Sequence, residues 1–151
     1  MSLRQTLERE LISCDRQTSV TDAAKLMDGT NIGAIVITRD GKPEGILTDR
    51  DIVLRCVAED LDCQATLVAD VMTTPVACLS LDAGIFNVVQ CMRRNGVRRV
   101  PIVDDEGRVV GLVSMGDVLQ LLSEEVHALA EPAAPEAPKI SGDLSSFGDA
   151  A

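Results

Sequence analysis

The segment Gly45-Ile46-Leu47-Thr48-Asp49-Arg50-Asp51-Ile52 returns later in the chain as Gly111-Leu112-Val113-Ser114-Met115-Gly116-Asp117-Val118. Each copy reads glycine, two aliphatic residues, a hydroxyl residue, two variable positions, aspartate and an aliphatic residue. Upstream, residues 32–37 align with 97–102 at an offset of 65, which becomes 66 after a turn that is one residue longer in the second copy. A long period present only twice predicts two copies of one supersecondary unit, packed as a pseudo-symmetric pair with two related clefts.

Hydrophobic periodicity predicts the same order of elements, β-α-β-β-α, in both copies. The first copy is expected to contain a strand at 11–14, a helix at 20–27 ended by Gly29, strands at 32–37 and 42–47, and a helix at 48–58. The second is expected to contain a strand at 76–79, a helix at 84–94, strands at 97–103 and 109–113, and a helix at 114–130. Short helices over 3–10 and 67–72 precede the copies. The predicted fold class is α+β, with two pseudo-symmetric βαββα repeats, short N-terminal helices and a disordered C-terminal tail.

The predicted domain division follows the duplication and a change in composition. Residues 1–66 form repeat 1 and residues 67–130 form repeat 2. From residue 131 to 151 the chain is rich in Pro, Ala and small polar residues, which cannot bury enough apolar surface to order the backbone. We therefore expect a disordered tail there.

Composition excludes several classes of function. The chain of 151 residues has no apolar run that could cross a membrane and no apolar signal-peptide core at its start, so we expect a cytoplasmic protein. Its five cysteines form no C-x-x-C pair and it has one histidine, which does not match a zinc site. We interpret the cysteines as free buried thiols and expect no metal and no catalytic residues.

Charge is unevenly distributed along the chain. A net charge of −10 disfavours nucleic acid as a partner. Four arginines nevertheless fall within seven residues, at positions 93, 94, 98 and 99. Arg93 and Arg94 suit the end of a helix, where cations complement the dipole. Arg98 and Arg99 open a strand, and together they indicate a small anionic ligand rather than a polyanion.

The repeated motif has two interpretations, and the residues alone leave both open. Thr48 and Ser114 stand where a strand meets a helix, and Asp51 and Asp117 follow three positions later, the spacing of a capping box. The same helix N-terminus can bind an anion, with the hydroxyl on a phosphate oxygen and the aspartate on a ribose diol. Arg50 within the first motif, with the strand arginines, would complete a nucleotide pocket.

These features together resemble a tandem pair of cystathionine-β-synthase (CBS) domains, a Bateman module, over roughly residues 3–130. The resemblance rests on the doubled βαββα unit, the two motifs, Ile32-Gly33-Ala34, and Val97-Arg98-Arg99-Val100-Pro101. In organisation the chain resembles the small stand-alone CBS-pair proteins of bacteria. It implies a regulatory module, commonly a homodimer with the motif helices at the interface, that acts on a protein partner.

The resemblance also implies a ligand and its contacts. The ligand would be AMP, ADP, ATP or S-adenosylmethionine, with no required cofactor. Asp51 and Asp117 would hold ribose, and Thr48 and Ser114 the phosphate. Residues flanking the adenine would be Ile12, Ala34, Val76, Val100 and Pro101.

The copies differ at the positions that carry charge, which predicts unequal clefts. Arg50 corresponds to Gly116, and Gly33-Ala34 correspond to Arg98-Arg99. We expect the main site in the cleft of Ser114, Asp117 and the arginine strand. The alternative function is a ligand-free structural dimer whose motifs serve only as helix caps. An enzyme is disfavoured, because the sequence shows no paired carboxylates, Ser-His-Asp set, metal cluster or P-loop.

Overall fold

The computed structural model describes Leu3, Leu7 and residues 11–130. The predicted tail over 131–151 lies outside the described residues, as does most of the helix predicted over 3–10. Within the described part, both predicted βαββα repeats are present, and the α+β prediction is confirmed.

Repeat 1 contains three strands and two helical segments. Its elements are β1 (Ser13–Asp15), α1 (Val20–Thr30), β2 (Ala34–Arg39), β3 (Lys42–Thr48) and α2 (Asp49–Ile52), which continues as a π-helix (Val53–Val57). Helix α1 starts at Ser19, whose hydroxyl accepts the Asp22 N–H at 3.1 Å. Serine is among the preferred N-cap residues because its side-chain oxygen accepts a backbone N–H of the first turn.

Repeat 2 follows a short connecting helix, α3 (Val68–Val71). Its elements are β4 (Leu79–Ser80), α4 (Ile85–Asn95), β5 (Arg99–Val103), β6 (Val109–Ser114) and α5 (Met115–Ala130). Helix α4 ends at Gly96, which has a φ of 63° and donates its N–H to the Met92 carbonyl. Glycine suits this left-handed position because it has no Cβ.

The two sheets have the same register. Each has three strands, in the orders β1-β2-β3 and β4-β5-β6, with a parallel first pair and an antiparallel second pair. Ala34 is paired with Thr48, and at the equivalent place Arg99 is paired with Ser114. Both hairpins also carry an irregularity at the same step of the ladder. The duplication seen in the sequence is therefore a duplication of hydrogen-bond pattern.

Four predicted elements differ from the structure. Helix α1 continues past Gly29 and ends at Asn31, whose left-handed φ of 52° lets its N–H donate to the carbonyls of the last turn. The first strand of each repeat is shorter than predicted and begins later in the chain than the predicted strand. It pairs with its neighbour over only three residues in β1 and two in β4. The helix predicted over 48–58 is not regular, since the Ala58 N–H donates to the Val53 carbonyl, five residues back.

The segment before each repeat packs on the other repeat. Val68 and Val71 are buried in the core of repeat 1, with Val20, Ile35 and Leu47. Leu3 is correspondingly buried in the core of repeat 2. A Cβ added at Gly45 would lie 2.6 Å from Met72 Sδ, and one at Gly111 would collide with the side chain of Leu7. The motif glycines thus leave room for these crossing segments, which hold the two repeats together.

Candidate functional site

Each motif places its hydroxyl residue at a strand end and its aspartate in the first turn of the next helix. In repeat 1, Asp51 Oδ2 accepts from the Thr48 hydroxyl at 2.7 Å and from the Thr48 N–H at 2.9 Å. The Asp51 N–H donates in return to Thr48 Oγ1 at 3.1 Å. These bonds form a capping box, which satisfies N–H groups that the helix leaves without a partner.

Repeat 2 reproduces this capping box. Asp117 Oδ2 accepts from the Ser114 hydroxyl at 2.6 Å and from the Ser114 N–H at 2.7 Å, and the Asp117 N–H donates to Ser114 Oγ at 3.2 Å. The cap interpretation of the motif is therefore confirmed in both copies. One oxygen of each aspartate makes the cap, so the other oxygen decides whether the residue can also hold a ligand.

That second oxygen has different surroundings in the two repeats. Asp51 Oδ1 lies 3.3 Å from the guanidinium of Arg55, one turn along the helix. The residue equivalent to Arg55 is Leu121, which is buried. Asp117 Oδ1 has no hydrogen-bond or ion-pair partner among the residues that the structure describes. Among the described residues, Asp117 therefore keeps one free acceptor oxygen, whereas both oxygens of Asp51 are engaged.

A cavity of about 250 Å³ lies between the repeats beside Asp117. Both repeats and the N-terminal segment contribute to its wall. The lining residues are Leu7, Leu11, Ile12, Asn31, Ile32, Gly33, Ala34, Arg99, Leu112, Ser114 and Asp117. The wall thus combines apolar side chains with one cation and one carboxylate.

Arg99 reaches across this cavity from repeat 2 to repeat 1. A methyl group added at Gly33 would lie 3.4 Å from Arg99 Nη2 and 3.0 Å from Asp49 Oδ2. The half-buried guanidinium therefore rests against the backbone of repeat 1. The small residues Gly33 and Ala34, which differ from their arginine counterparts in repeat 2, leave the space that Arg99 occupies.

The first turn of α5 offers fewer free N–H groups than the sequence suggests. The Met115 N–H donates to the Arg98 carbonyl at 2.8 Å, and the Asp117 N–H is used in the cap. The Gly116 N–H has no partner within the described part of the chain. In addition, the Ser114 hydroxyl donates to Asp117 and the Thr48 hydroxyl donates to Asp51. Either hydroxyl would have to rotate away from its aspartate before it could donate to a phosphate.

Twelve residues were predicted from the sequence to bind the ligand. Five of them line the cavity, namely Ile12, Ala34, Arg99, Ser114 and Asp117. Thr48, Arg50 and Asp51 belong to the other motif and do not line it. Arg98 is exposed outside it. Val76 precedes β4 and is half-buried away from the cavity wall.

Val100 and Pro101, two residues of β5 that were predicted to flank the ligand, lie on opposite faces of the sheet. Val100 is fully buried in the core of repeat 2, with Val88 and Met92. Its side chain therefore belongs to the core and not to the cavity wall. Pro101 is paired with Leu112, a cavity residue, and so shares its face of the sheet.

Six lining residues were not nominated from the sequence: Leu7, Leu11, Asn31, Ile32, Gly33 and Leu112. Leu112 could have been found, because it precedes Ser114 by two positions and strand side chains alternate. Gly33 could also have been found, because the equivalent residue in repeat 2 is the much larger Arg98. Leu7 carries no such signal, because its place depends on how the N-terminal segment crosses to repeat 2.

Two further classes of site were searched for in the part of the chain that the structure describes. That part contains no group of three or more His, Cys, Asp or Glu side chains placed to hold a metal ion. Its longest helix is too short and too polar to span a membrane.

Comparison with known proteins agrees with this architecture. The profile of the CBS domain matches residues 4–57 and 68–124. The uncharacterized protein MK0525 of Methanopyrus kandleri is 32% identical over 122 residues, covering 80% of this chain and 62% of MK0525. The CBS domain-containing protein YhcV of Bacillus subtilis is 35% identical over 117 residues, covering 78% of this chain and 82% of YhcV. The chain thus spans less than two thirds of one relative and about four fifths of the other.

A solved structure has the same fold. The CBS domain pair of protein MJ0100, in complex with 5′-methylthioadenosine and S-adenosyl-L-methionine, superposes with a TM-score of 0.74 at 28% identity. The match covers 83% of this chain and 98% of that one. The fold and the doubled motif define a paired α+β domain of two pseudo-symmetric repeats with a cavity between them. The chain belongs to the CBS domain family and carries two CBS domains in tandem.

Proposed function

We propose that this protein is a non-catalytic regulatory module that binds an adenosine-containing ligand in the cavity of Ser114, Asp117 and Arg99. The candidate ligands are AMP, ADP, ATP and S-adenosylmethionine. The observation that carries the proposal is one cavity that combines a free aspartate oxygen, a half-buried guanidinium and apolar walls from both repeats.

Each part of an adenosyl ligand has a complementary group in this cavity. Asp117 Oδ1 can accept from the two ribose hydroxyls while Oδ2 keeps the cap. Ile12, Ala34 and Leu112 supply an apolar slot for the adenine. Arg99 in the cavity wall would hold a phosphate by charge and hydrogen bonds, and the Gly116 N–H in the first turn of α5 could add a further hydrogen bond. The adenosyl ligands of the MJ0100 domain pair belong to this chemical class.

Regulation would follow from the position of the cavity between the repeats. A ligand that contacts residues 31–34 and α5 together binds one relative arrangement of the repeats better than another. The ligand therefore shifts the population toward that arrangement, and a partner protein that contacts both repeats can detect the change.

A homodimer is part of the proposal, with the motif helices at its interface. Helix α5 exposes apolar side chains at 119, 122, 126 and 129, a spacing that forms one stripe. On the π-helix, Val53, Leu54 and Val57 are also exposed. We expect the cytoplasm as the location, where the proposed ligands are present.

The alternative function is a ligand-free structural dimer, and a specific observation favours it. Both motif aspartates have a structural role in their capping boxes, so the motifs need no ligand to explain them. In that case the exposed apolar stripe would be the functional surface and the cavity would stay empty.

Equilibrium dialysis of ligand-free protein against AMP, ATP and S-adenosylmethionine separates the two functions. The chain has no Trp and no Tyr, so nucleobase absorption reports bound ligand with little protein background. We expect one of the three to bind, and Asp117→Ala to weaken it about 30-fold or more, since a charged acceptor contributes about 2 kcal/mol. Asp117→Asn should also weaken binding. Because its side-chain oxygen can keep part of the cap, a loss of affinity in this variant cannot be attributed to misfolding.

Asp51→Ala is the matched control, because it removes an equivalent capping box beside the other cleft. It should lower stability as Asp117→Ala does while keeping most of the affinity. Equal losses in both variants would contradict the assignment to the Asp117 cavity. Binding of none of the ligands would favour the structural dimer.

A further inference from the structure

Cys56 and Cys63 are in direct contact at the end of repeat 1. Their sulfur atoms are 2.9 Å apart. This separation is only about 1 Å longer than the ~2 Å bond of a disulfide. The sequence gives no indication of the contact, because the two residues are seven positions apart and belong to no C-x-x-C motif.

The fold holds the two cysteines together from several sides. Cys56 lies in the π-helix, and the Leu61 N–H donates to its carbonyl at 3.0 Å across five residues. Asp60, with a left-handed φ of 53°, helps turn the chain back. Cys63 is then attached to α1, because its carbonyl accepts the Thr21 N–H at 3.0 Å. Both ends of the short loop are therefore fixed before any bond forms between the sulfurs.

The two thiols differ in exposure, which sets their order of reaction. Cys56 is fully buried in the core of repeat 1, whereas Cys63 is partly exposed at its edge. The hydrogen bond with Cys63 and burial together raise the pKa of the Cys56 thiol. A small oxidant in solution therefore meets Cys63 first, while Cys56 keeps its proton.

We propose that Cys56 and Cys63 form a covalent modification site, oxidised to an intramolecular disulfide by a low-molecular-weight disulfide. The Cys63 thiolate attacks one sulfur of the oxidant, breaks its S–S bond and releases one small thiolate. The Cys56 thiol passes its proton to a released thiolate and attacks the Cys63 sulfur, expelling the second small thiolate. Two protein thiols become one disulfide, and the oxidant, which takes up the two electrons and two protons, becomes two small thiols.

The modification would act on one repeat only. The residue equivalent to Cys56 in repeat 2 is Leu122, which is 45% exposed and lies in a regular helix. The disulfide would tie the π-helix, with its exposed Val53, Leu54 and Val57, to the connection that leads into α3. It would thereby fix the helix that follows the Thr48–Asp51 capping box.

Peptide mapping of the full chain tests the proposal. Reduced protein, freed of reductant, is incubated with oxidised glutathione, alkylated, and digested with trypsin and a protease that cleaves before aspartate. Each of the five cysteines then lies on its own peptide, with Cys56 on residues 56–59 and Cys63 on residues 62–69. We expect these two peptides, joined with the loss of two hydrogens, to exceed any other oxidised product by about tenfold or more.

Two variants make the result specific. Cys56→Ala should trap the glutathione adduct on Cys63, because the second thiol is missing, and Cys78→Ala should form the disulfide as the unaltered chain does. In the unaltered chain a time course should show the Cys63 adduct before the disulfide. A lasting adduct on Cys63 beside an alkylated Cys56, a link to a different cysteine, or no reaction at Cys63 would overturn the proposal.

Discussion

The guanidinium of Arg99 in repeat 2 lies against Gly33 in repeat 1, so the two repeats share the cationic group of the cavity. A methyl group at position 33 would be 3.4 Å from Arg99 Nη2, closer than most side-chain contacts. The equivalent of Gly33 in repeat 2 is Arg98, which is exposed outside this cavity. The Gly33/Arg98 difference and the Arg55/Leu121 difference beside the motif aspartates both break the symmetry of the repeats.

Gly33→Ala is expected to lower the affinity for a phosphorylated adenosyl ligand about threefold to tenfold, because Arg99 and Asp49 must shift to admit the methyl group. Equilibrium dialysis measures the change. Gly29→Ala is the control, since nothing lies within 4 Å of its added Cβ. It should leave affinity unaltered, and alanine should slightly favour helix α1. Equal affinities for both variants would contradict the role of position 33.

Arg99→Gln is expected to reduce selectivity for charged ligands. The ratio of ATP affinity to adenosine affinity should fall about tenfold or more, because a hydrogen bond to an ionised group contributes about 1.5–3 kcal/mol. Arg94→Gln removes the same charge from an exposed site at the end of α4 and should leave the ratio unchanged. If both variants lower the ratio equally, net charge rather than the cavity governs selectivity.

Val68→Ala should destabilise the whole chain by about 2 kcal/mol, because Val68 is fully buried in the core of repeat 1 although it follows that repeat in sequence. Urea denaturation followed by far-ultraviolet circular dichroism measures the loss, since the chain has no Trp. Leu61→Ala, at a side chain that is 45% exposed, should cost clearly less. A loss for Val68→Ala below that of the control would show that the crossing segment contributes little to the core.

Leu122→Glu with Val126→Glu should convert the proposed dimer to a monomer, because two charges would be buried in an apolar interface. Sedimentation velocity measures the mass. Gln120→Glu adds a charge on a different face of α5 and should leave the dimer intact. A monomeric unaltered chain at micromolar concentration would disprove the dimer.

The chain should lose the stability contributed by Asp104 as the pH falls through the pKa of this residue in the folded state. Its carboxylate accepts from the Arg108 N–H at 2.8 Å, and that bond, with the adjacent guanidinium, lowers the pKa of Asp104. The carboxylate therefore contributes stability above its unfolded pKa of about 3.9, and the contribution disappears at lower pH. Asp104→Asn should lose less stability than the unaltered chain between neutral pH and pH ~3 in urea denaturation. Asp105→Asn, at the exposed neighbour, should behave like the unaltered chain, and identical pH dependence in all three would contradict this contribution.

The sequence predicted the architecture well because duplication constrains it at many positions. The offset of 65 and then 66 residues matches the equivalent pairing of Ala34 with Thr48 and of Arg99 with Ser114. The motif predicted the capping boxes from spacing alone. The sequence also identified the contrast between Gly33 and Arg98 without showing which side chain enters which cleft.

Other features were not predictable from local patterns. The turn-forming glycine at 29 suggested a helix end, yet Asn31 takes the left-handed position. The family resemblance implied that Val100 flanks the adenine, but strand alternation directs its side chain into the core. The π-helix and the contact of Cys56 with Cys63 depend on the path of the connection after repeat 1, which no periodicity encodes.

By itself, the sequence determined the doubled βαββα fold, the family and the two helix caps, because these depend on the internal repeat, on hydrophobic periodicity and on the short spacing within each motif. Only the tertiary structure decided that, among the described residues, Asp117 keeps a free oxygen while Asp51 does not, and that Arg99 enters a cavity with Ile12 and Ala34. These properties depend on distances between side chains that are far apart in the chain. Such distances follow from how the two repeats and their crossing segments pack, which identical motifs cannot specify.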